Sequence, residues 1–248
     1  MTNDDGYRAE GLAALREALS SFADVTVVAP ETEQSATSHT LSLHRPLRLR
    51  NVEAGVFALD GTPADCVYVG MHAKDRVLPR WPDLVVSGMN HGENLGADVF
   101  YSGTVGGARE GALRGVPALA TSASMRADRR AAAALAARVA RDMLAVLPGG
   151  ERRQLLLNLN IPAGKGPWKV ERTVLGTRLY AENVVFSTDP RGREYLWIGG
   201  ATPTHDEVVG SDTEAWDAGH ASLTPLVLDL TSARDEAFAA GLVESLSR

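Results

Sequence analysis

Two short segments of this chain contain side chains that could hold a divalent cation. The first, at residues 2–6, reads Thr-Asn-Asp-Asp-Gly and provides the adjacent carboxylates of Asp4 and Asp5. The second, at residues 87–98, is rich in glycine and provides the amides of Asn90 and Asn94. Carboxylate and amide oxygens are the ligands that Mg²⁺, Mn²⁺ and Ca²⁺ prefer in proteins. Each segment alone is also typical of a structural turn or a flexible loop, so a cation site requires that the two meet in space.

A third segment could bind an anion. Ser102, Gly103 and Thr104 come directly before a predicted helix at residues 104–114. The first turn of a helix offers unpaired N–H groups and the positive end of the helix dipole, and the two hydroxyl groups add further donors. The same residues are also typical N-caps, and the sequence does not separate the two roles. A cation beside a phosphate-binding helix start is the equipment of metal-assisted phosphoryl transfer.

Three other residues could take part in chemistry. Ser35 and His39 share a hydroxyl-rich loop, which on its own is typical of a solvated surface. The six histidines show no HExxH or comparable spacing, so none is predicted to bind zinc. Cys66 is the single cysteine and has no basic neighbour in the sequence, so we expect it to pack in the core.

Composition limits the class of partner. The 248 residues fit one large domain, or one domain with an appendage. A net charge of −6 argues against a broad nucleic-acid-binding face, whereas a small anionic substrate stays open because a bound cation would reverse the local field. The sequence shows no apolar stretch of membrane-spanning length and no secretory pattern, and one cysteine favours a reducing compartment. We therefore expect a cytoplasmic protein that binds neither nucleic acid nor membrane.

Strands and helices alternate over the first 164 residues. The predicted strands lie at 25–29, 84–87, 117–122 and 154–161, and the predicted helices at 7–21, 104–114 and 127–147. This order predicts an α/β fold, a Rossmann-like three-layer sandwich with a mostly parallel sheet. The carboxyl ends of parallel strands meet at one edge, so Ser35 and Asn90, which each follow a strand, should lie at the same edge.

Residues 165–248 show a different pattern. Short β-like runs occur at 173–180, 184–187 and 194–198, with an Asp-Pro-Arg-Gly turn at 189–192, and a strand at 221–230 and a helix at 232–246 follow. We interpret this region as a β-hairpin-rich appendage. Its apolar residues exceed what a small appendage needs to fold, so we expect it to mediate oligomerisation.

The start of the chain leaves one element unaccounted for. A parallel α/β domain should deliver Asp4 and Asp5 from the end of a strand, but only Met1 precedes Thr2. We therefore expect the first strand of the core to be missing from this chain, and the natural protein to begin a few residues upstream with a short apolar run.

Together, these segments resemble the SurE family, the stationary-phase survival proteins that act as 5′/3′-nucleotidases. The matching blocks, in order, are Thr-Asn-Asp-Asp-Gly (2–6), Ala-Pro-x-x-x-x-Ser (29–35), Gly-Thr-Pro-Ala-Asp-Cys-Val (61–67), Ser-Gly-x-Asn-x-Gly-x-Asn-x-Gly-x-Asp (87–98), Tyr-Ser-Gly-Thr-Val (101–105), Asn-Leu-Asn-Ile-Pro (158–162) and Gly-His-Ala-Ser-Leu-Thr-Pro-Leu (219–226). The likeness spans nearly the whole chain, which makes chance a poor explanation.

The resemblance implies a phosphatase that hydrolyses nucleoside 5′- and 3′-monophosphates, with short polyphosphate as a side substrate in some members. It implies one divalent cation per subunit (Mg, Mn or Ca) and a homodimer or homotetramer with exchanged C-terminal segments. The implied metal ligands are Asp4, Asp5, Ser35 and Asn90, of which Asp4, Asp5 and Asn90 are also expected to be catalytic. The residues expected to bind the phosphate are Asn94, Ser102, Gly103 and Thr104.

Several alternatives stay open from the residues. In-line attack by a metal-activated water is expected, and direct attack by an aspartate to form an aspartyl-phosphate is the alternative. The chain could instead be a nucleotide-binding module without turnover, if the missing strand disrupts the cation site. A nucleotide-sugar transferase would require a second nucleotide-binding domain, where the pattern after residue 164 predicts hairpins.

Overall fold

The computed structural model describes residues 1–147, 153–178, 184–198 and 204–247. The helices are α1 Glu10–Ser20, α2 Pro63–His72, α3 Asp98–Tyr101, α4 Gly103–Leu113, α5 Arg129–Val146, α6 Asp212–Asp217 and α7 Glu236–Leu246, with a short 3-10 helix at Lys74–Arg76. The strands are β1 Val27–Pro30, β2 Leu49–Glu53, β3 Val56–Leu59, β4 Val85–His91, β5 Ala118–Ala123, β6 Leu156–Ile161, β7 Val170–Arg172, β8 Val184–Thr188, β9 Glu194–Ile198 and β10 Ala221–Leu226.

Helices cover both faces of a mostly parallel sheet. The sheet has the order β4-β5-β6-β10-β7, in which only the β6–β10 pair is antiparallel. Side chains alternate between its faces, so Val86 packs with α1 and α5 whereas Val85 packs with α2 and α4. The result is a three-layer α/β sandwich, and the predicted fold class is confirmed.

The alanine-rich helix α5 packs closely because its buried face is made of small residues. Ala132, Ala133, Ala136 and Ala140 recur at helical spacing and are buried against α1 and the sheet. The helix begins where the carboxylate of Asp128 accepts a hydrogen bond from the N–H of Ala131 at 2.9 Å.

The Gly-Thr-Pro-Ala-Asp-Cys-Val block at residues 61–67 forms the start of α2. Thr62 and Asp65 form a capping box: the Thr62 hydroxyl accepts the Asp65 N–H at 3.1 Å, and the Asp65 carboxylate accepts the Thr62 N–H at 3.0 Å. Cys66 follows and is buried, as predicted. The helix and strands β2 and β3 were not predicted.

Residues beyond 164 contribute to the main sheet. β10 lies between β6 and β7, so a boundary at residue 164 does not separate two sheets. β8 and β9 form the predicted antiparallel hairpin. The run predicted at 173–180 is not a strand over the residues described: Val174 makes an isolated bridge with Ser211, and residues 179 and 180 lie outside the described ranges.

Strands β1, β3 and β2 form a second sheet, separate from the main one. Met1 and Thr2 lie between β1 of this sheet and β4 of the main sheet. The N–H of Val28 donates to the carbonyl of Met1, and the N–H of Thr2 donates to the carbonyl of Val86, both at 3.0 Å. Met1 and Thr2 therefore make the backbone hydrogen bonds that a strand between β1 and β4, parallel to both, would make. On the amino side of Met1 lies a cavity of about 460 Å³, lined largely by apolar residues that include Val25. The sheet is discontinuous there.

Across the described ranges, no helix combines the length and the apolar character that crossing a membrane requires.

Candidate active site

The segments predicted to hold a cation meet at one edge of the sheet. Thr2 pairs with Ser87, which places Asp4 and Asp5 beside the end of β4. The N–H of His91, the last residue of β4, donates to Asp5 Oδ2 at 3.3 Å. These contacts bring together the first two motifs, which lie more than eighty residues apart in the sequence.

The loop after β1 joins the same edge. The N–H of Gln34 donates to the carbonyl of Asp4 at 2.7 Å, so Ser35 lies next to the aspartate segment. The hydroxyl of Ser35 is exposed and donates to Glu33 Oε1 at 2.7 Å. The structure thus brings the Ser35 loop to the aspartates, with the hydroxyl itself bonded to Glu33.

Asp4 is placed at the first turn of α4. Its side chain is 5% exposed, and its Oδ2 accepts the N–H of Thr104 at 3.0 Å while its Oδ1 accepts the Thr104 hydroxyl. A Cβ on Gly103 would lie 2.9 Å from the Cβ of Asp4, so a glycine is required for this close approach. The positive end of the α4 dipole therefore stabilises the Asp4 carboxylate.

The other groups of this turn are also used within the protein. The Ser102 hydroxyl accepts the N–H of Val105 at 3.1 Å, which is the N-cap role left open by the sequence. The N–H of Thr104 donates to Asp4, so the backbone N–H groups of Thr104 and Val105 both have partners within the protein. Phosphate binding by Ser102, Gly103 and Thr104 stays a prediction, and the structure gives Ser102 and Thr104 a structural function first.

Both aspartates are costly to ionise. Burial raises the pKa of Asp4 to about 6; the hydrogen bonds from Thr104 oppose this shift, and the negative charge of Asp5 adds to it. Burial also raises the pKa of Asp5, which the contacts with His91 oppose. Burial thus destabilises the charged forms of two adjacent carboxylates. A cation bound between them would stabilise those charged forms.

The remaining donors at this edge are neutral oxygens. The Nδ2 of Asn90 donates to the carbonyl of Gly92 at 2.9 Å, an orientation that makes the amide oxygen the atom that can face a cation. Among the residues described, no group of three or more His, Cys, Asp or Glu side chains could hold a metal ion. A cation here would depend on amide and hydroxyl oxygens as well as on the two carboxylates.

Asn94, for which phosphate binding stays a prediction, has several hydrogen-bond partners within the protein. It is buried; its N–H donates to Asn160 Oδ1 at 2.8 Å and its Nδ2 donates to the Ser122 hydroxyl at 2.7 Å. Its carbonyl accepts the side-chain amides of Asn158 and Asn160 at 2.9 and 3.1 Å. Asn94 therefore anchors the glycine-rich loop to β5 and β6, because a buried amide must have partners.

Sequence reasoning assigned no role to the residues that hold Asn94. Asn158 and Asn160 alternate with Leu159 in a buried strand, and such polar side chains in an apolar run indicate a buried network. Register places Asn90, Ser122 and Asn160 side by side across β4, β5 and β6.

A second missed group ties the same loop to the C-terminal region. Arg178 contacts Glu93 Oε1 at 2.7 Å and Asp98 Oδ2 at 3.0 Å. The buried carboxylate of Asp212 accepts the N–H of Gly96 at 2.9 Å and that of Gly176 at 2.7 Å. Residues beyond 164 therefore fix the loop that carries Asn90 and Asn94.

The family model described as Survival protein SurE matches residues 1–182. The chain belongs to the SurE family. It is 60% identical over 248 residues to the 5′-nucleotidase SurE of Sorangium cellulosum, covering 100% of this chain and 96% of that relative. It is 48% identical over 240 residues to the 5′-nucleotidase SurE of Geobacter sulfurreducens, covering 94% and 88% of the two chains.

The fold is also that of a solved SurE structure. The crystal structure of the SurE protein from Aquifex aeolicus matches with a TM-score of 0.82 at 36% identity, and the match covers 97% of each chain. The resemblance inferred from the ordered sequence blocks is confirmed.

Proposed function

We infer that this chain is a metal-dependent nucleotidase that hydrolyses nucleoside monophosphates to a nucleoside and phosphate. The observation that carries this inference is the placement of the Asp4 and Asp5 pair at the start of α4 and beside the end of β4. The SurE-family relatives named as 5′-nucleotidases, at 60% and 48% identity, support the substrate class.

Asp4, Asp5, Asn90 and Ser35 would hold one divalent cation per subunit. All four offer oxygen, which suits Mg²⁺, Mn²⁺ or Ca²⁺. The raised pKa values of both aspartates support this assignment, because a bound cation would offset the cost of burying their charges. A cation held by these residues would stabilise negative charge on the phosphoryl oxygens and would lower the pKa of the attacking water.

The protein's own residues would orient this reaction. Thr104 fixes the carboxylate of Asp4, and the network around Asn94 fixes the glycine-rich loop behind Asn90. Donors at residues 102–104 would contact the phosphoryl oxygens as charge develops on them. Both oxygens of Asp4 accept hydrogen bonds from Thr104, which lowers their nucleophilicity. This favours in-line attack by water over an aspartyl-phosphate formed on Asp4.

The test is release of inorganic phosphate from 5′- and 3′-nucleoside monophosphates with added Mn²⁺, Mg²⁺ or Ca²⁺ and with EDTA. We expect phosphate release that depends on the cation and is abolished by EDTA. A panel of bases and a short polyphosphate would define specificity. Nucleotide binding without turnover under all conditions would instead support a binding module.

The transferase alternative has less support. Beyond residue 164, the described residues contribute β7 and β10 to the same sheet, together with a separate hairpin. A second nucleotide-binding sheet is not formed by those ranges. Transfer of sugar from a nucleotide sugar, without phosphate release from a monophosphate, would reverse this assignment.

We also propose that the C-terminal region forms a homodimer or homotetramer through exchanged segments. In the β8–β9 hairpin, Phe186 is 61% exposed, Trp197 67% and Ile198 86%. Helix α7 has no buried residue within its range, although Phe238 and Leu242 are apolar. Exposed apolar surface on this scale is typical of a protein interface.

A further inference from the structure

The loop that carries Ser35 is tied to the body of α4 through His39. The Nε2 of His39 lies 2.8 Å from Glu110 Oε2. Glu110 is 1% exposed, and its other carboxylate oxygen accepts the Nε–H of Arg114 at 2.8 Å. Burial opposes ionisation of Glu110, yet the hydrogen bonds from His39 and Arg114 hold its pKa below the ordinary value. Glu110 is therefore a charged anchor inside the protein, and the nucleotidase chemistry above uses neither it nor His39.

The same loop has a backbone conformation that depends on its contacts. Ala36 and Ser38 have φ values of 56° and 54°, in the left-handed region that residues with a side chain rarely adopt. Such a conformation persists only where the surroundings fix it. Two backbone bonds help: Gln34 N–H to the Asp4 carbonyl at 2.7 Å, and Ser38 N–H to the Tyr101 carbonyl at 2.9 Å.

The loop also lies directly on the first two turns of α4. A Cβ on Gly106 would be 2.3 Å from the carbonyl oxygen of Ser38, and a Cβ on Gly103 would be 3.0 Å from the carbonyl oxygen of Gln34. Glu110 lies one turn beyond Gly106 on the same helix. The bond between His39 and Glu110 thus attaches the C-terminal end of the loop to α4, four residues after Ser35.

We propose that His39 is a positioning residue for the cation site, which keeps the loop that carries Ser35 beside the aspartate pair by tethering that loop to Glu110. This inference rests on the proposed cation site. His39 would contact neither the cation nor the substrate and would act through the position of Ser35. Residues that orient metal ligands typically change metal affinity by 10- to 100-fold when they are substituted.

The test uses the full chain without substrate, with Mn²⁺ affinity measured by calorimetry and folding followed by thermal melting. We expect His39→Ala to weaken Mn²⁺ binding by about tenfold or more. His39→Gln, whose Nε2 can still donate to Glu110, should restore most of the affinity. His44→Ala removes an exposed histidine five residues further on and should leave Mn²⁺ binding unchanged.

A double substitution shows whether His39 acts through Ser35. In a Ser35→Ala background, His39→Ala should cause little further loss of Mn²⁺ affinity, because the ligand that it positions is already absent. Wild-type affinity in His39→Ala, or a full additional loss in the double variant, would overturn the inference and leave the cation site standing. Absence of Mn²⁺ binding by the unmodified chain would overturn the cation site, and the inference with it.

Discussion

The carboxylate of Asp4 accepts two hydrogen bonds from Thr104, one from the backbone N–H at 3.0 Å and one from the hydroxyl. The two residues are 100 positions apart in the chain. Their contact joins the aspartate motif to the start of α4. From the sequence, these two segments are separate candidates, one for binding a cation and the other for binding an anion. It also places a carboxylate that burial makes costly to ionise against the positive end of a helix dipole.

Asp4→Asn should abolish most turnover while leaving the fold intact. The amide keeps the size of the side chain but removes one of the two charges that a cation would need. We expect a loss of at least about 100-fold in kcat with Mn²⁺, in line with the loss of a group that acts in the reaction itself. Phosphate release and far-ultraviolet circular dichroism measure the two effects. Full activity with an unchanged metal dependence would rule out Asp4 as a ligand.

The same substitution should alter how stability depends on pH in the metal-free protein. The pKa of Asp4 is about 6 in the folded chain, against 3.8 for the ordinary group, so the folded state binds more protons between these values. Its contribution to stability is therefore present below about pH 4 and is lost as the pH rises to about 6. The shift of roughly two units corresponds to at most about 3 kcal/mol.

Urea unfolding in EDTA at pH 4.5 and 7.5 would measure this effect. As the pH rises from 4.5 to 7.5, the free energy of unfolding of Asp4→Asn should increase by roughly 1–3 kcal/mol relative to that of the unmodified chain. The reason is that the variant has no buried carboxylate to ionise. Comparing the two proteins cancels the titrating groups that do not interact with Asp4. An equal difference at both pH values would show that the Asp4 carboxylate is not destabilised by burial.

Thr104→Val should lower kcat by more than it lowers stability. The substitution removes the hydroxyl that binds Asp4 but keeps the backbone bond, so we expect a loss of about 1 kcal/mol in the free energy of unfolding. A misplaced Asp4 should reduce kcat by more than tenfold, since small displacements of reacting groups are costly. Thr104→Ser keeps the hydroxyl and is the matched control. A lower melting temperature with unchanged kinetics would show that the Thr104 hydroxyl contributes to folding and not to the reaction.

The positions of several strands were predictable because they follow local pattern. The short β-branched run before Pro30 and the run before Gly88 identify the buried strands β1 and β4, and Ser35 follows β1 as predicted. The prediction ended β4 at Gly88, whereas the strand continues to His91, so Asn90 lies within the strand and not after it. The hairpin strand at 194–198 matches its prediction because the Asp-Pro-Arg-Gly turn marks its start.

Contacts between distant residues were not predictable from such patterns. Asn94 resembles any polar loop residue in the sequence, and only the folded chain shows that Asn158 and Asn160 surround its carbonyl. The position of β10 between β6 and β7 likewise depends on contacts between distant residues, which local periodicity does not predict. His39 and Glu110 meet across 71 positions, and nothing near either residue in the sequence indicates the pair.

The exposed apolar hairpin should form an interface between subunits. We expect light scattering at micromolar concentration to show a dimer or a larger assembly, and Phe186→Glu with Trp197→Glu to reduce its size, because burying two charges at an interface is costly. Met125→Glu, at an apolar residue that is 85% exposed outside the hairpin, is the control. A monomer of the unmodified chain under these conditions would remove the basis for the proposed exchange of segments.

The gap between β1 and β4 predicts the effect of lengthening the chain before Met1. The amino group of Met1 donates to the carbonyl of Thr26 at 2.6 Å inside this gap. Burial lowers the pKa of this amine to about 6, an effect that Cys66 opposes. A peptide bond at this position would remove a buried ionisable group. The carbonyl of Val86 already accepts the N–H of Thr2, and alternation along a strand directs the N–H of Val86 to the same side, so a continued strand would meet backbone partners there.

A chain extended by four apolar residues before Met1 should therefore have a higher melting temperature and a higher specific activity. Each apolar side chain that enters the cavity of about 460 Å³ contributes roughly 1.5–3 kcal/mol, and ordering each residue costs roughly 1–2 kcal/mol, so the net gain should be a few kcal/mol. Activity should rise because Asp4 and Asp5 would follow a strand held on both sides, and metal ligands need such support to stay in place. An extension of four serines has the same length without the apolar burial and should give a much smaller gain. If the apolar extension changes neither melting temperature nor activity, Met1 and Thr2 alone position the aspartates, and the strand is dispensable for the site.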